Sequence, residues 1–306
     1  MELYIAALLP VMLAIGLGYV LRLVNFISRD GWSAVEKLVY YLLFPALLLQ
    51  AIAGKNLNHF EWQSLLQLLG IALGLASLVL FLWFKLFANW SGATFTSVYQ
   101  GGIRFNTFIM LSVAWSYYGE SGLQMGSVIA GFMIFIINIL CVLVFLIWGE
   151  HGKRGWKKLF VELFTNPLIV ACLIGLFINV SDQLLPVVLD ELLLMLGKAA
   201  LPLGLLAVGA ALDLKIMHKH AGTILPATMV QFGLKPLTVF YAAQWLGLSS
   251  LMSAVLLIAF TTPTSPSSYI LARQLGGDST AMASIVSFQT FLALLAMPAW
   301  AWFLLG

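Results

Sequence analysis

The chain has 306 residues, of which 62% are hydrophobic and 9% are charged, and its mean hydropathy is +1.01. Soluble domains carry roughly 25% charged residues. So few charges cannot cover a water-exposed surface, and most of the surface must therefore face lipid. The formal net charge of +3 is spread over short loops and offers no basic patch, which excludes nucleic acid as an expected partner.

Apolar stretches long enough to cross a bilayer follow one another along the whole chain. A transmembrane helix needs about 20 apolar residues. The predicted spans are 3–23, 34–54, 63–87, 94–118, 124–148, 160–180, 187–212, 222–246, 250–274 and 280–304. The first lacks a basic leader and a cleavage pattern, so we interpret it as a retained helix rather than a signal peptide. The predicted fold class is an all-α polytopic membrane protein.

The distribution of Lys and Arg predicts the orientation, because cytoplasmic loops carry an excess of both. With the N-terminus outside, most of the 15 basic residues belong to inner loops: Arg22, Arg29, Lys37, Lys85, Lys153, Arg154, Lys157, Lys158, Lys215, Lys219 and Arg273. Lys55 alone belongs to an outer loop, and Arg104, Lys198 and Lys235 fall within spans. We therefore expect a multi-pass protein of the cell inner membrane with both termini on the outer, periplasmic side.

Residues of the first half recur in the second half at an almost constant spacing, which indicates a duplication. At offsets of 157 or 158, the pairs are Pro10 and Pro167, Gly18 and Gly175, Pro45 and Pro202, and Gly119-Glu120-Ser121 and Gly277-Asp278-Ser279. Residues 1–150 and 151–306 are thus predicted to be two five-helix repeats. Five is an odd number, so the second repeat is inverted, as in many secondary transporters. The alternative is a duplication kept only for stability.

Spans 4 and 9 are interrupted near their centres, at matching places in the two repeats. Span 4 contains the pair Gly101-Gly102, which relaxes the backbone. Span 9 contains Pro263 and Pro266, each of which lacks an N–H and clashes with the preceding turn. Unwound backbone in a membrane is tolerated only inside protein or beside a wet cavity. Paired interruptions of this kind indicate the binding site of a transporter, and simple kinks are the alternative.

The charges deep within the spans are basic. No Asp or Glu lies deep in a span and the histidines lie in loops, so an acid–base pair, a metal site and an enzyme are not expected. Arg104 adjoins the break in span 4 and can grip a carboxylate with two hydrogen bonds. Its alternative role is a guanidinium satisfied by backbone carbonyls. Lys235 is a second candidate for an anion contact, against snorkelling or pairing with a carbonyl, and Lys198 is a third.

The predicted substrate-binding residues combine two of these cations with polar and proline residues of the breaks: Arg104, Asn106, Thr107, Lys235, Pro263, Thr264, Ser265, Pro266 and Ser267. For Asn106 and Thr107 the alternative is capping of the broken helix ends. Gln231, Gln289 and Asn138 are expected to form hydrogen bonds between helices. No cofactor is expected, apart from a coupling ion, either H⁺ or Na⁺.

Over nearly its whole length the chain resembles the auxin efflux carrier family, including its bacterial, malonate-transporter-like permeases. The motifs are Arg104-Phe105-Asn106-Thr107, Asn166-Pro167-Leu168, Leu201-Pro202-Leu203 with Gly209, and Pro263-Thr264-Ser265-Pro266-Ser267-Ser268-Tyr269 continuing through Ala272 to Gly276-Gly277-Asp278. In this resemblance, Asn106 matches the family's crossover asparagine, and Pro263 and Pro266 match the prolines of its ninth helix. Plant members carry a proline in the span 4 crossover, where Phe105 and Thr107 flank Asn106 in this chain.

The resemblance implies ten helices in two inverted repeats, with helices 4 and 9 crossing at the midplane. It also implies a scaffold part and a moving transport part that work by an elevator-like motion. The implied substrates are organic anions, which are auxin in plants and malonate- or malate-like acids for some bacterial members.

The leading functional hypothesis is a secondary transporter that moves a small organic anion, a carboxylate, across the lipid bilayer by alternating access. One alternative is a sodium-coupled symporter resembling the bile-acid family, which shares the plan of broken helices. A channel or a receptor is another. Carriers of this plan often dimerise, so a homodimer is the candidate assembly.

Overall fold

The computed structural model describes residues 2–53, 60–150, 161, 165–181, 185–213 and 221–305. Its helices in chain order are α1 (Glu2–Leu23), α2 (Arg29–Leu38), α3 (Phe44–Ala53), α4 (Trp62–Leu86), α5 (Gly92–Ile103), α6 (Thr107–Trp148), α7 (Pro167–Val180), α8 (Val187–Ala210), α9 (Ala221–Met229), α10 (Lys235–Leu246), α11 (Ser250–Thr261), α12 (Ser267–Leu275) and α13 (Ser279–Leu305). A π-helical turn, Val39–Leu43, joins α2 to α3, and a second, Val230–Leu234, joins α9 to α10. The described parts of the chain contain no strand.

These helices confirm the prediction of an all-α polytopic membrane protein. By length and composition, five segments can each cross a membrane: Arg29–Ala53, Trp62–Leu86, Gly92–Trp148, Val187–Ala210 and Ser279–Phe303. Shorter apolar helices cover Leu8–Leu23, Pro167–Val180 and Ser250–Thr261. The segment Gly92–Trp148 contains two of the predicted spans, because Gly119 turns the chain within α6 with φ +57° and ψ −142°, a conformation that glycine adopts readily.

One compact unit of the chain comprises Met1–Phe60, Phe108–Phe135 and Glu162–Ala211. Within it, α3 packs against α7 and α8, and α1 packs along α8. Glycines allow the close approach of α1 and α8: a Cβ on Gly18 would overlap the carbonyl group of Leu206, and one on Gly209 would overlap that of Ile15. Small residues at such contacts are typical of helix packing in membranes, where backbones must come close to gain dispersion energy.

The other compact unit comprises Glu61–Thr107, Ile136–Val161 and Leu212–Gly306. Within it, α5 packs against α4, α9 and α13, while α10 packs against α4 and α11. All nine predicted substrate-binding residues belong to this second unit. It is therefore the part of the chain in which the candidate site is built.

The prediction of two repeats that divide at residue 150 is not tested by these compact units, because each of them takes segments from both halves of the sequence. The orientation also stays a prediction. Many of the residues on which it rests lie outside the described residues: Lys55, Lys153, Arg154, Lys157, Lys158, Lys215 and Lys219. The four histidines lie outside them as well.

Candidate functional site: the crossing of two broken helices

The break in span 4 comprises residues 104–106, between the end of α5 and the start of α6. Arg104 is extended, with φ −70° and ψ 163°. We expected the glycine pair to loosen the backbone here, but Gly101 and Gly102 are the last helical residues before Ile103. Their role is close packing, because a Cβ on Gly101 would lie 2.6 Å from a methyl group of Ile285. The break begins two residues after the glycine pair, at Arg104, beside which it was expected.

The break in span 9 comprises residues 262–266, between α11 and α12. A residue before proline is pushed out of the helical region by the proline ring. Thr262, which precedes Pro263, accordingly has φ −74° and ψ 153°. Pro266 has φ −56° and stands directly before Ser267, the first residue of α12. The two prolines thus end one helix and start the next.

The two breaks meet within the second unit, and we call them together the crossing. The backbone N–H of Asn106 donates to Oγ1 of Thr262 at 3.2 Å. Oγ1 of Thr264 donates to the carbonyl oxygen of Gln100 at 3.4 Å. Asn106, Thr262 and Thr264 are all fully buried. The crossing is therefore a protein-lined region in which unwound backbone is permitted at membrane depth.

Gln289 of α13 joins the two breaks and is fully buried. Its Oε1 accepts from the N–H of Thr264 at 3.0 Å, and its Nε2 donates to the carbonyl oxygen of Gly101 at 2.9 Å. In an unbroken helix Gly101 would have bonded the N–H of Phe105, and Thr264 the carbonyl of Phe260. One side-chain amide thus replaces a helical partner at each break, which confirms that Gln289 bonds between helices.

Gln231 and Lys235 serve the C-terminal ends of the two half-helices. Nε2 of Gln231 donates to the carbonyl oxygen of Thr262 in a short hydrogen bond, and its Oε1 accepts from Nζ of Lys235 at 2.6 Å. Nζ of Lys235 also donates to the carbonyl oxygen of Ile103, the last residue of α5, at 3.2 Å. Gln231 thus bonds between helices as predicted. Lys235 pairs with a carbonyl, and its contact with substrate stays a prediction.

Arg104 is partly exposed, unlike Lys235, the other cation of the crossing. Its Nη2 donates to Oδ1 of Asn138 at 3.1 Å, which confirms that Asn138 bonds between helices, and its Nη1 lies 3.5 Å from Oε1 of Gln100. Among the described residues, the guanidinium group of Arg104 is therefore held by side-chain amides, and not by the backbone carbonyls that were considered as its alternative partners. A guanidinium carries five N–H donors, more than these two oxygens occupy. The other basic candidate, Lys198, is exposed and lies in the first unit.

The remaining predicted residues lie at or beside the crossing. Thr107, the first residue of α6, is buried, and so is Pro263. Ser265 and Ser267 are half-buried and their hydroxyls lie 3.0 Å apart. Pro266 between them is half-buried too. Arg104 and the end of the span 9 break are thus the more exposed of the predicted residues.

Comparison with known proteins agrees with this architecture. The model of a family described as membrane transport protein matches residues 3–301. This chain belongs to the membrane transport protein family. The resemblance to auxin efflux carriers is thereby confirmed. A protein of Methanothermobacter thermautotrophicus that is described as an uncharacterized transporter is 21% identical over 294 residues, which cover 95% of each chain.

Two residues of this membrane transport protein escaped the sequence reasoning. Gln100 is fully buried in α5 and touches both breaks, since its Oε1 faces Arg104 and its backbone carbonyl accepts from Thr264. Its spacing of four residues from Arg104, which is one helical turn, is the signal that could have revealed it. Thr262 was part of the polar run in span 9, and its position before Pro263 could have marked it as extended.

Proposed function

We propose that this membrane transport protein is a secondary transporter that carries a small organic anion, a carboxylate, by alternating access. The observation that carries the proposal is the partly exposed Arg104 at the crossing of two broken helices. An arginine can bind a carboxylate through two parallel charge-assisted hydrogen bonds. Buried cations in membranes usually serve a site, because an uncompensated charge is costly there.

The helix ends at the crossing support an anionic substrate. The N-termini of α6, at Thr107, and of α12, at Ser267, follow directly on the two breaks. The N-terminus of a helix carries a partial positive charge. Half-helix N-termini that point at anionic groups are a recurrent device of secondary transporters. Arg104 and the hydroxyls of Ser265 and Ser267 would complete the contacts to a carboxylate.

An elevator-like motion suits the placement of the site residues. All nine predicted substrate-binding residues belong to the second compact unit, so a movement of that unit would carry the complete site with it. We therefore assign the transport part to the second unit and the scaffold part to the first. The proposed location is the cell inner membrane, with both termini on the periplasmic side.

The test is the thermal stability of the purified protein against a panel of small mono- and dicarboxylates. A ligand that binds the folded state raises its melting temperature by mass action. The proposal predicts a rise with at least one acid that Arg104→Ala abolishes. The matched control is Arg273→Ala, which removes an exposed arginine of α12, and it should keep the full rise. No rise with any acid, or an equal rise in Arg104→Ala, contradicts the proposal.

A further inference from the structure

The ammonium group of Lys235 is surrounded by groups that attract a cation. Lys235 is fully buried. Its Nζ lies 3.2 Å from the carbonyl oxygen of Ile103, 2.6 Å from Oε1 of Gln231 and 5.4 Å from the centroid of the Phe260 ring. Two oxygens and an aromatic face form a cation site, and the side chain of the protein itself fills it.

The place of this site in the fold is the C-terminal end of α5, where the helix stops at the break in span 4. The last carbonyls of a helix lack partners within the helix and carry a partial negative charge. In secondary transporters with broken helices, unwound carbonyls and half-helix C-termini coordinate the coupling ion, Na⁺ or H⁺. Nζ of Lys235 bonds one of these carbonyls, that of Ile103.

A π-helical turn directly precedes Lys235. Gln231 lies in the π-helical turn Val230–Leu234, and Lys235 begins α10 directly after it. π-turns inside α-helices are frequent at functional sites because they redirect side chains. Pro236 has no N–H to offer to the carbonyl of Phe232 four residues earlier.

Trp300 of α13 supports this turn. Its Nε1 donates to the carbonyl oxygen of Phe232 at 2.7 Å, so the carbonyl to which Pro236 cannot donate accepts from a side chain. The turn also lets one pair of residues reach both breaks: Lys235 binds the end of α5, and Gln231 binds the carbonyl of Thr262 just beyond α11. The pair is thus built into the crossing rather than attached to its edge.

We propose that Lys235 is a built-in cation that takes the place of a coupling ion at the crossing, so that the protein works without Na⁺. This inference rests on the proposed function in that the crossing is the transport site. It assigns Lys235 the part of a positioning residue that neutralises the end of α5, and leaves contact with the anion to Arg104. Na⁺ cannot bind at this position, because the ammonium group of Lys235 already contacts the oxygens that would coordinate the ion.

The experiment compares the purified protein with Lys235→Ala in chloride salts of Na⁺, K⁺, methylammonium and choline at equal ionic strength and without substrate. The original protein should melt at the same temperature in all four salts. Lys235→Ala should melt lower in choline, and a small cation should raise its melting temperature by at least about 2–4 °C in a concentration-dependent way. Lys198→Met, which removes an exposed lysine, should show no difference among the salts. Equal melting of Lys235→Ala in all four salts overturns the inference.

A second measurement needs no variant and therefore survives if Lys235→Ala does not fold. Uptake of the best acid into proteoliposomes should be equal in Na⁺ and in choline, and a Na⁺ requirement overturns the inference. The two proposals fail separately. If no acid binds but small cations rescue Lys235→Ala, the anion is wrong and the built-in cation stands. If an acid binds and its uptake needs Na⁺, the anionic substrate stands and the built-in cation is wrong.

Discussion

The backbone N–H of Asn106 donates to the side-chain oxygen of Thr262 across 156 positions of sequence, at 3.2 Å. Both residues are fully buried, and each belongs to one of the two broken helices. Thr262 is extended because a proline follows it, and its hydroxyl thereby becomes an acceptor for the other break. The proline of one helix thus sets up the hydrogen bond that joins it to the other.

Removing this acceptor should destabilise the crossing. Thr262→Val keeps the shape of the side chain but leaves the buried N–H of Asn106 without this partner, which costs about 1–3 kcal/mol. Thr262→Ser retains the hydroxyl and should lose much less. The matched control is Thr261→Val, since Oγ1 of Thr261 donates only to carbonyls of its own helix, at Leu257 and Ile258, among the described residues. Thermal melts of the variants check this, and equal losses at positions 261 and 262 would count against the assigned bond.

Gln289 should be more sensitive than any exposed glutamine of the same unit. Gln289→Met has a similar length but can neither accept from Thr264 nor donate to Gly101, so two buried backbone groups lose their partners. We expect a clearly lower melting temperature and loss of uptake into proteoliposomes. Gln244→Met, at an exposed position of α10, should behave like the original protein. Full uptake by Gln289→Met would mean that the bridge is dispensable.

Two glycines of α1 should respond differently to the same substitution, because only one of them lies against α8. Gly18→Ala places a Cβ against the carbonyl group of Leu206, so α1 and α8 must separate, at a cost of about 1–3 kcal/mol. A Cβ on Gly16 meets nothing within 4 Å, and alanine favours the helix by about 0.5–1 kcal/mol. Gly16→Ala should therefore melt at the same or a higher temperature. Similar melts for both variants would refute the close approach of the two helices.

The predicted orientation can be read from fusions to the C-terminus. Green fluorescent protein becomes fluorescent in the cytoplasm but not after Sec-dependent export, whereas alkaline phosphatase is active only in the periplasm. Because the positive charges predict both termini outside, a phosphatase fusion should be active and a fluorescent-protein fusion dark. A truncated fusion after residue 150 serves as the control, since the loop that begins at Gly149 is predicted to be inside. The opposite pattern would reverse the orientation.

Much of the fold could be predicted, because a membrane span is recognised from the length and hydrophobicity of a continuous stretch of residues. Length and hydrophobicity alone located the segments around α4, α8 and α13, and prolines 263 and 266 located the break in span 9. The break in span 4 lies where Arg104 and Asn106 were expected to adjoin it, but the glycine pair is not part of it, because glycine permits an unwound backbone without requiring it. Gly101 serves packing against Ile285 instead, a contact between segments far apart in the sequence.

For the residues of the site, the sequence predicted the type of interaction but not the partner residues. Sequence reasoning expected Gln231, Gln289 and Asn138 to bond between helices, and the structure confirms this, but the identity of their partners depends on tertiary packing. Lys235 and Arg104 were candidates of the same type in the sequence. The structure separates them, because Lys235 is fully buried against the end of α5 while Arg104 keeps partial exposure.

The central claim is that Arg104 holds a carboxylate at the crossing, and transport by the reconstituted protein tests it most directly. Proteoliposomes loaded with an unlabelled malonate- or malate-like acid should take up the labelled acid by exchange. Loss of a charge-assisted hydrogen bond costs about 1.5–3 kcal/mol, so Arg104→Ala should weaken the apparent affinity by about 10- to 100-fold. Arg104→Lys should recover it only in part, because a lysine cannot form the paired bonds. Uptake by Arg104→Ala with unchanged affinity would contradict the account.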